Sequence, residues 1–349
     1  MDEMGEGKVH ICEPRTYRNY FAPGEPELTI SSGDTVVVEC PRDCHRFNED
    51  YPPIPEEMKQ RSDITVLNQS NPLVGPIYVE EAEVGDSLEV EILRLELNRP
   101  YAYSRILPHL GSLTGEHLAF QRTLLNEPLP DMVFHWNLDL ERMVGILDLP
   151  HSRAGRVELP LEPMLGCIGV APALGWVEPS SSQGNYGGNM DCPDVREGCT
   201  VILPVWVKGA YLALGDVHAR QGDGELTASG METSGKVAIR VTVAKGRSIA
   251  WPRIVDETHI MTVPSVRSLS DAVRTAAYEL LQWLVVDYGY SKWEGWEILA
   301  HTVTLRVANC VSPRYTVVAK FPRRFLPAQS NGLAEERGSS TEGGDWLGD

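Results

Sequence analysis

Within residues 183–232 lie Asp191, Asp194, Asp216, His218, Asp223, Glu225 and Glu232, set among turn-forming glycines. Carboxylates and imidazole are the groups that replace water around a hard or borderline cation. Leu212, Leu214, Asp216 and His218 are two residues apart. On a strand they share one face, so Asp216 and His218 are expected to project together from the end of an apolar strip. Asp223 and Glu225 are expected to share a face in the same way, across the Gly222–Gly224 turn. The spacing leaves open which of these groups ligate. One His with two or three carboxylates suits zinc, and an all-oxygen set suits calcium or magnesium. It also leaves open a non-catalytic calcium site and plain acidic turns, because Asp and Gly are common turn residues.

The adjoining stretch Gly184-Asn185-Tyr186-Gly187-Gly188-Asn189 carries a second chemistry. Glycines let the backbone approach a small ligand and present N–H groups, which can stabilise a developing oxyanion. The stretch matches neither the dinucleotide nor the phosphate-loop pattern. Cys192 adjoins Asp191 but has no histidine nearby in sequence to activate it, so it reads as a structural thiol.

The elements that must hold these residues are mostly strands. Ser32-Gly33-Asp34-Thr35-Val36 and Val84-Gly85-Asp86-Ser87-Leu88 form a weak internal repeat, with Glu197-Gly198-Cys199-Thr200-Val201 as a looser third copy. In each, a glycine turn feeds a β-rich run. Residues 134–141 alternate strictly, with Phe134, Trp136, Leu138 and Leu140 on one face and His135 on the solvent face. Trp136, Trp176, Trp206, Trp251 and Trp283 read as core, because no basic residues interleave with them. Helix is expected late. Apolar residues from Ala272 to Val285 have helical spacing and Gly289 stops the run near Tyr288. Ser291-Lys292-Trp293-Glu294 then has the form of a capping box.

Composition bounds the rest. The 349 residues carry 31 Lys plus Arg against 49 Asp plus Glu, a net charge of −18. A polyanion of this size repels phosphate backbones and anionic membrane surfaces, so nucleic-acid and membrane partners are not expected. No run approaches the ~20 apolar residues of a spanning helix, and the first twenty residues have no signal-peptide core. The seven cysteines contain no CxxC pair. That argues for a reducing, cytoplasmic setting with buried thiols.

Several segments together resemble the acetamidase/formamidase family of amidohydrolases. They are Gly187-Gly188-Asn189-Met190-Asp191, the long string from Gly215 through Asp216, His218, Gly222 and Asp223 to Glu225, and Gly230-Met231-Glu232-Thr233-Ser234. Residues 71–79 and 82–86 belong with them, as do Met164 to Pro172. The likeness runs from about residue 28 to 325. It implies a mainly β fold, of sandwich- or barrel-like sheets, with a C-terminal α/β portion. It also implies hydrolysis of a small formamide- or acetamide-like amide to carboxylate and ammonia by a metal-activated water. The divalent metal is expected to be zinc, with calcium second. By motif, the resemblance implies Asp191 and His218 as first-choice metal ligands, with Asp216 next, while Glu225, Glu232 and Asp223 are the catalytic candidates; these four acids compete for the remaining ligand and general-base roles. Gly187, Gly188, Asn189 and Gln183 are the substrate and oxyanion group. The alternatives are a non-catalytic metal- or ligand-binding protein on this scaffold, and an amidase for a larger amide. The division expected is an N-terminal segment 1–27, a β-rich half 28–150, a β/α half 151–328 and a disordered acidic tail 329–349. A homo-oligomer, a dimer by default, is expected on general grounds.

Overall fold

The computed structural model describes residues 7–15, 17–41, 71–107, 110–113 and 129–327. Cys44 and the 329–349 tail lie outside them. Two large sheets dominate. The first runs in the order Val9–Cys12, Thr35–Cys40, Gly235–Ala244, Ser87–Leu97, Thr200–Pro204, Arg253–Val255, His259–Thr262, Tyr315–Pro322 and Ser265–Val266, with Thr304–Asn309 also on Tyr315–Pro322. The second runs Gly155–Pro160, Val144–Leu149, Met132–Asp139, Tyr101–Ile106, Glu232–Thr233, Leu212–His218, Met164–Gly169, Gly187–Asn189 and Gln183–Gly184, with Leu73–Val79 branching off Leu212–His218. Both sheets take strands from either side of residue 150, so their ladders cross that seam.

The alternation of each strand decides how the sheets meet. Val36 and Val38, Val90 and Ile92, Val201 and Leu203, and Val237, Ile239 and Val241 point inward from the first sheet. Val74 and Ile77, Leu165 and Ile168, and Leu212 and Leu214 meet them from the second in one continuous core. This is sandwich packing of two inner faces. The mainly β expectation holds, and so does the C-terminal α/β portion. Helix α1 (Leu269–Tyr288) buries Ala272, Ala276, Leu280 and Leu284 against Val317, Ala319 and Phe321. Ser268 caps it by accepting from the Asp271 N–H at 3.1 Å, and Gly289 ends it with φ 71°. Helix α2 (Lys292–Thr302) starts at Ser291, but that hydroxyl donates to the Glu294 carboxylate and caps no backbone group. Neither helix is long and apolar enough to cross a membrane.

His135 is exposed between buried Trp136 and its neighbours, as the alternation predicts. Trp176 departs from its expected core place. It is 66% exposed on a turn beside a left-handed Leu174. Trp136 and Trp283 are buried. Cys12, Cys40, Cys167, Cys192 and Cys199 are buried free thiols.

The internal repeat is a folding device. Gly33 and Gly85 both have φ 95°, and Asp34 and Asp86 each close the turn by bonding N–H to the carbonyl three residues back, at 3.1 Å. Each carboxylate then holds the turn from inside. Asp34 accepts from the Ser31 and Lys8 N–H groups and from His10, and Asp86 from the Glu83 and Gly246 N–H groups and Lys245. In the third copy Gly198 keeps the turn with φ 84°, but Cys199 stands where the carboxylate would be. Burial works to raise both carboxyl pKa values, yet these donors outweigh it and hold each below the usual carboxylate value. The stabilisation is therefore complete above the ordinary value of about 4 and fades as pH falls through the lower folded value. Asp34→Asn with Asp86→Asn is expected to cost about 1–3 kcal/mol per site at neutral pH. Urea denaturation at about pH 7 and about pH 3 checks this, with a smaller wild-type advantage at the lower pH.

Candidate functional site

The Met164–Gly169 strand is the rail on which the site is built. On one side it pairs with Leu212–His218, with Met164 opposite His218 and Cys167 opposite Gly215. On its other side Cys167 stands opposite Asn189, and the Asp191 N–H bonds the Gly166 carbonyl at 3.1 Å. Glu232 in turn lies directly across from His218. The sheet thus delivers Asp191, Asp216, His218 and Glu232 to one place, and a left-handed turn at Glu225 (φ 49°) adds a fourth carboxylate. Ligating atoms of Asp191, Asp216 and His218 lie within 4.8 Å of one another, as do those of His218, Glu225 and Glu232. All five residues are buried.

Each group has one atom held and another presented. The Asp191 Oδ2 accepts from Asn189 Nδ2 (2.6 Å) and Asn309 Nδ2 (2.7 Å), while its Oδ1 is buried with no partner among the described residues. The Asp216 Oδ2 accepts from Asn71 Nδ2 at 2.7 Å, and its Oδ1 sits 3.4 Å from His218 Nε2. The Glu232 Oε1 accepts from the Gly230 N–H at 2.8 Å, and its buried Oε2 faces His218 Nε2 at 3.1 Å. The Glu225 Oε2 accepts from Asn309 Nδ2 at 2.8 Å. Asn309 is locked in turn, since its Oδ1 accepts from the Val311 and Ser312 N–H groups. Orphaned carboxylate oxygens beside an imidazole nitrogen, with every far side hydrogen-bonded, have the donor chemistry for a divalent cation.

The electrostatics agree. Among the described residues no Lys or Arg pairs with these four carboxylates. Burial, then the Glu225 and Asp216 charges, pushes the Asp191 pKa well above the carboxylate range. Burial pushes Glu225 up to about 8, reinforced by Glu232 and opposed by His218. For His218 burial works downward, but the Glu232 and Asp216 carboxylates together hold it well above its ordinary value. Such displaced values gather where charge is arranged for chemistry.

Three sequence expectations are corrected. Asp223 does not share a face with Glu225. Residues 222–228 form successive turns rather than a strand, so Glu225 points inward while the Asp223 side chain is 56% exposed and pairs with Arg306 at 2.9 Å. Gly187 and Gly188 do not offer free amides. Their strand is paired on both sides, to Met164–Gly169 and to Gln183–Gly184, and such a strand directs its amides at its neighbours. These glycines instead allow close strand packing, since a Cβ on Gly187 would come within 2.4 Å of the Ile168 carbonyl oxygen. Gln183 bonds through Nε2 to the Arg314 carbonyl. Arg314 lines a separate cavity of about 420 Å³ with Trp176, Trp251 and Tyr186. Asn189 does reach the cluster, as a brace for Asp191. Sequence reasoning missed Asn71, Cys167, Gln221 and Asn309 as braces. Nothing marks Asn71 or Asn309 as neighbours of residues more than eighty positions away, and only the structure joins them.

The fold and the cluster together define a mainly β protein with C-terminal helices and a buried site suited to a divalent cation. Residues 177–325 match the model of the Acetamidase/Formamidase family. An acetamidase structure from Yersinia enterocolitica is 31% identical, with a TM-score of 0.80 over 93% of this chain and 95% of that one. The Bacillus halodurans acetamidase structure is 32% identical, with a TM-score of 0.74 over 90% of this chain and 98% of that one. A Mycolicibacterium smegmatis acetamidase is 28% identical over 50% of this chain, which spans about half (53%) of that relative. The chain belongs to the acetamidase/formamidase family.

Gly166 is a tight point of the site. A Cβ there would fall 2.4 Å from Asp216 Oδ2 and 2.7 Å from Asp191 Oδ1. Gly166→Ala is expected to force the two carboxylates apart and weaken uptake of a divalent cation, probed with zinc, at least about tenfold, an effect of the size seen when the groups that orient ligands are lost. Competition with a chromophoric chelator reads that loss. Unchanged zinc affinity would show that Asp191 and Asp216 do not share a cation.

Proposed function

We propose that this protein hydrolyses a short aliphatic amide, of the formamide or acetamide kind, to a carboxylate and ammonia. The observation that carries the reading is the meeting of Asp216 Oδ1 (3.4 Å) and Glu232 Oε2 (3.1 Å) at His218 Nε2, with the unpartnered Asp191 Oδ1 in the same cluster as Asp216 and His218. Family membership supplies the amide. One imidazole among carboxylates favours zinc. In this assignment Asp191, Asp216, His218 and Glu232 hold the cation. Glu232 is placed with the ligands rather than the bases because its Oε2 faces His218 Nε2 at 3.1 Å. The bound cation supplies Lewis-acid polarisation of the carbonyl and a more acidic water.

The chain's own residues do the rest. Amide nitrogen leaves poorly, so it must receive a proton as the C–N bond breaks. Glu225 lies beside the ligand set, its Oε2 fixed by Asn309, with a pKa of about 8. With a cation bound, its charge would offset the neighbouring carboxylates, and the ionised Glu225 can take a proton from the attacking water and return it to the departing nitrogen. The hydroxyl oxygen of that water ends in the product carboxylate, and the nitrogen leaves as ammonia. Burial of the cluster keeps other water from competing for that proton.

Ammonia release from formamide, acetamide and propionamide by the metallated protein tests the reading. Release that disappears with chelator and returns with zinc is the expected result, and a fully metallated protein that releases none would overturn it. Glu225→Gln is expected to lower kcat by about 10²–10⁴ while zinc affinity stays close to wild type. Retained turnover would remove Glu225 from the proton-transfer role.

A further inference from the structure

We propose that Gln221 is a positioning residue that decides which nitrogen of His218 faces the carboxylate cluster. The inference rests on the cation-site reading above and deepens it. Gln221 is 7% exposed and follows His218 by three residues. Its Nε2 donates to the Asp191 carbonyl at 2.7 Å and to the Ala308 carbonyl at 3.2 Å. Carbonyl oxygens only accept, so the orientation of this amide is not free to reverse. Its Oε1 is therefore the acceptor, and it lies 2.9 Å from His218 Nδ1. That nitrogen must carry a hydrogen in every protonation state of the ring. The lone pair available for coordination is then on Nε2, the atom that faces Asp216 at 3.4 Å and Glu232 at 3.1 Å.

The same side chain ties its own loop to the Asp191 loop and to the end of the Thr304–Asn309 strand. The Asp191 carbonyl belongs to a residue with left-handed backbone (φ 43°), and Ala308 immediately precedes Asn309, the amide that bridges Asp191 and Glu225. Crowding fixes the ring from the other side. A Cβ on Gly230 would fall 2.4 Å from His218 Nδ1, so that glycine leaves just the space the ring needs. Groups that orient a ligating imidazole are typically worth about 10–100-fold in metal affinity.

The test uses the full chain. Zinc affinity is measured by competition with a chromophoric chelator. Labelled-histidine NMR of the protein loaded with NMR-active cadmium reports which His218 nitrogen couples to the metal. Wild type is expected to couple through Nε2 and to keep a slowly exchanging Nδ1–H. Gln221→Met is expected to lose about 10–100-fold in zinc affinity and the slow Nδ1–H. Gln221→Glu, which keeps an acceptor at Nδ1 but loses both donations to carbonyls, is expected to bind zinc more tightly than Gln221→Met. A merely structural brace predicts the opposite order. Coupling through Nδ1 in wild type, or wild-type zinc affinity in Gln221→Met, would overturn the proposal. Should Gln221→Met fail to fold, the wild-type coupling and the Gln221→Glu affinity decide it. A wild-type protein that takes up neither metal overturns the cation-site reading and this one together, whereas uptake through Nδ1 overturns this one alone.

Discussion

Four carboxylates and one imidazole share a space from which water is largely excluded, and this constraint shapes the rest of the molecule. Buried like charges repel strongly in a low dielectric, and an isolated carboxylate is costly to desolvate. The chain answers with no cationic side chain at the cluster among the described residues. It answers with neutral donors, the amides of Asn71, Asn189 and Asn309 and the Gly230 N–H, each placed on the far oxygen of a carboxylate. Neutral donors stabilise a carboxylate without cancelling its charge. The charge is thereby kept for something that enters the site, whether protons on Asp191 and Glu225 or a divalent cation. Where the chain does need a structural ion network it builds one nearby, with Arg306 and Lys320 on the buried Asp194. That network shows that basic residues were available to the fold.

Holding those carboxylates together requires backbone that most residues avoid. Asp191, Asp216 and Glu225 have φ of 43°, 61° and 49°. Left-handed backbone is tolerated by Asp through local hydrogen bonds and is uncommon for Glu. Three such residues converging on one cluster mark a place where local preference is overruled, and the rigid sheets around it maintain the conformation. The Met164–Gly169 rail is buried along its whole length and is paired on both sides. Its Gly166 is bare so that two carboxylates can fit beside it.

Much of this was legible in the chain. The acids that matter lie in one glycine-rich stretch, and Asp216 and His218 do meet as their two-residue spacing predicts. The period that places Asp216 beside His218 does not carry on to Asp223 and Glu225, because that pair lies on consecutive turns, where alternation has no meaning. Gly187 and Gly188 sit in a strand with partners on both sides, which has no amides to spare. The braces were invisible for a different reason. An asparagine carries no periodic signature, and Asn71 and Asn309 reach the site through ladders whose register only the whole sandwich fixes.

The C-terminal α/β portion then acquires a role beyond covering the sheet. Helix α1 packs on the Tyr315–Pro322 strand, which pairs with Thr304–Asn309. That second strand ends at Asn309, fully buried and hydrogen-bonded to both Asp191 and Glu225. Its neighbours Ala308 and Cys310 exchange backbone hydrogen bonds with Gly224, fastening the turn that carries Glu225. The Asp191 carboxylate and the proposed proton carrier are thus referenced to one amide on one strand, and the strand is referenced to the helix layer. Loosening of α1 would move both carboxylates together rather than either alone. In the proposed hydrolysis that common anchor matters, because positioning errors of an ångström between a carbonyl and a proton donor are costly in rate.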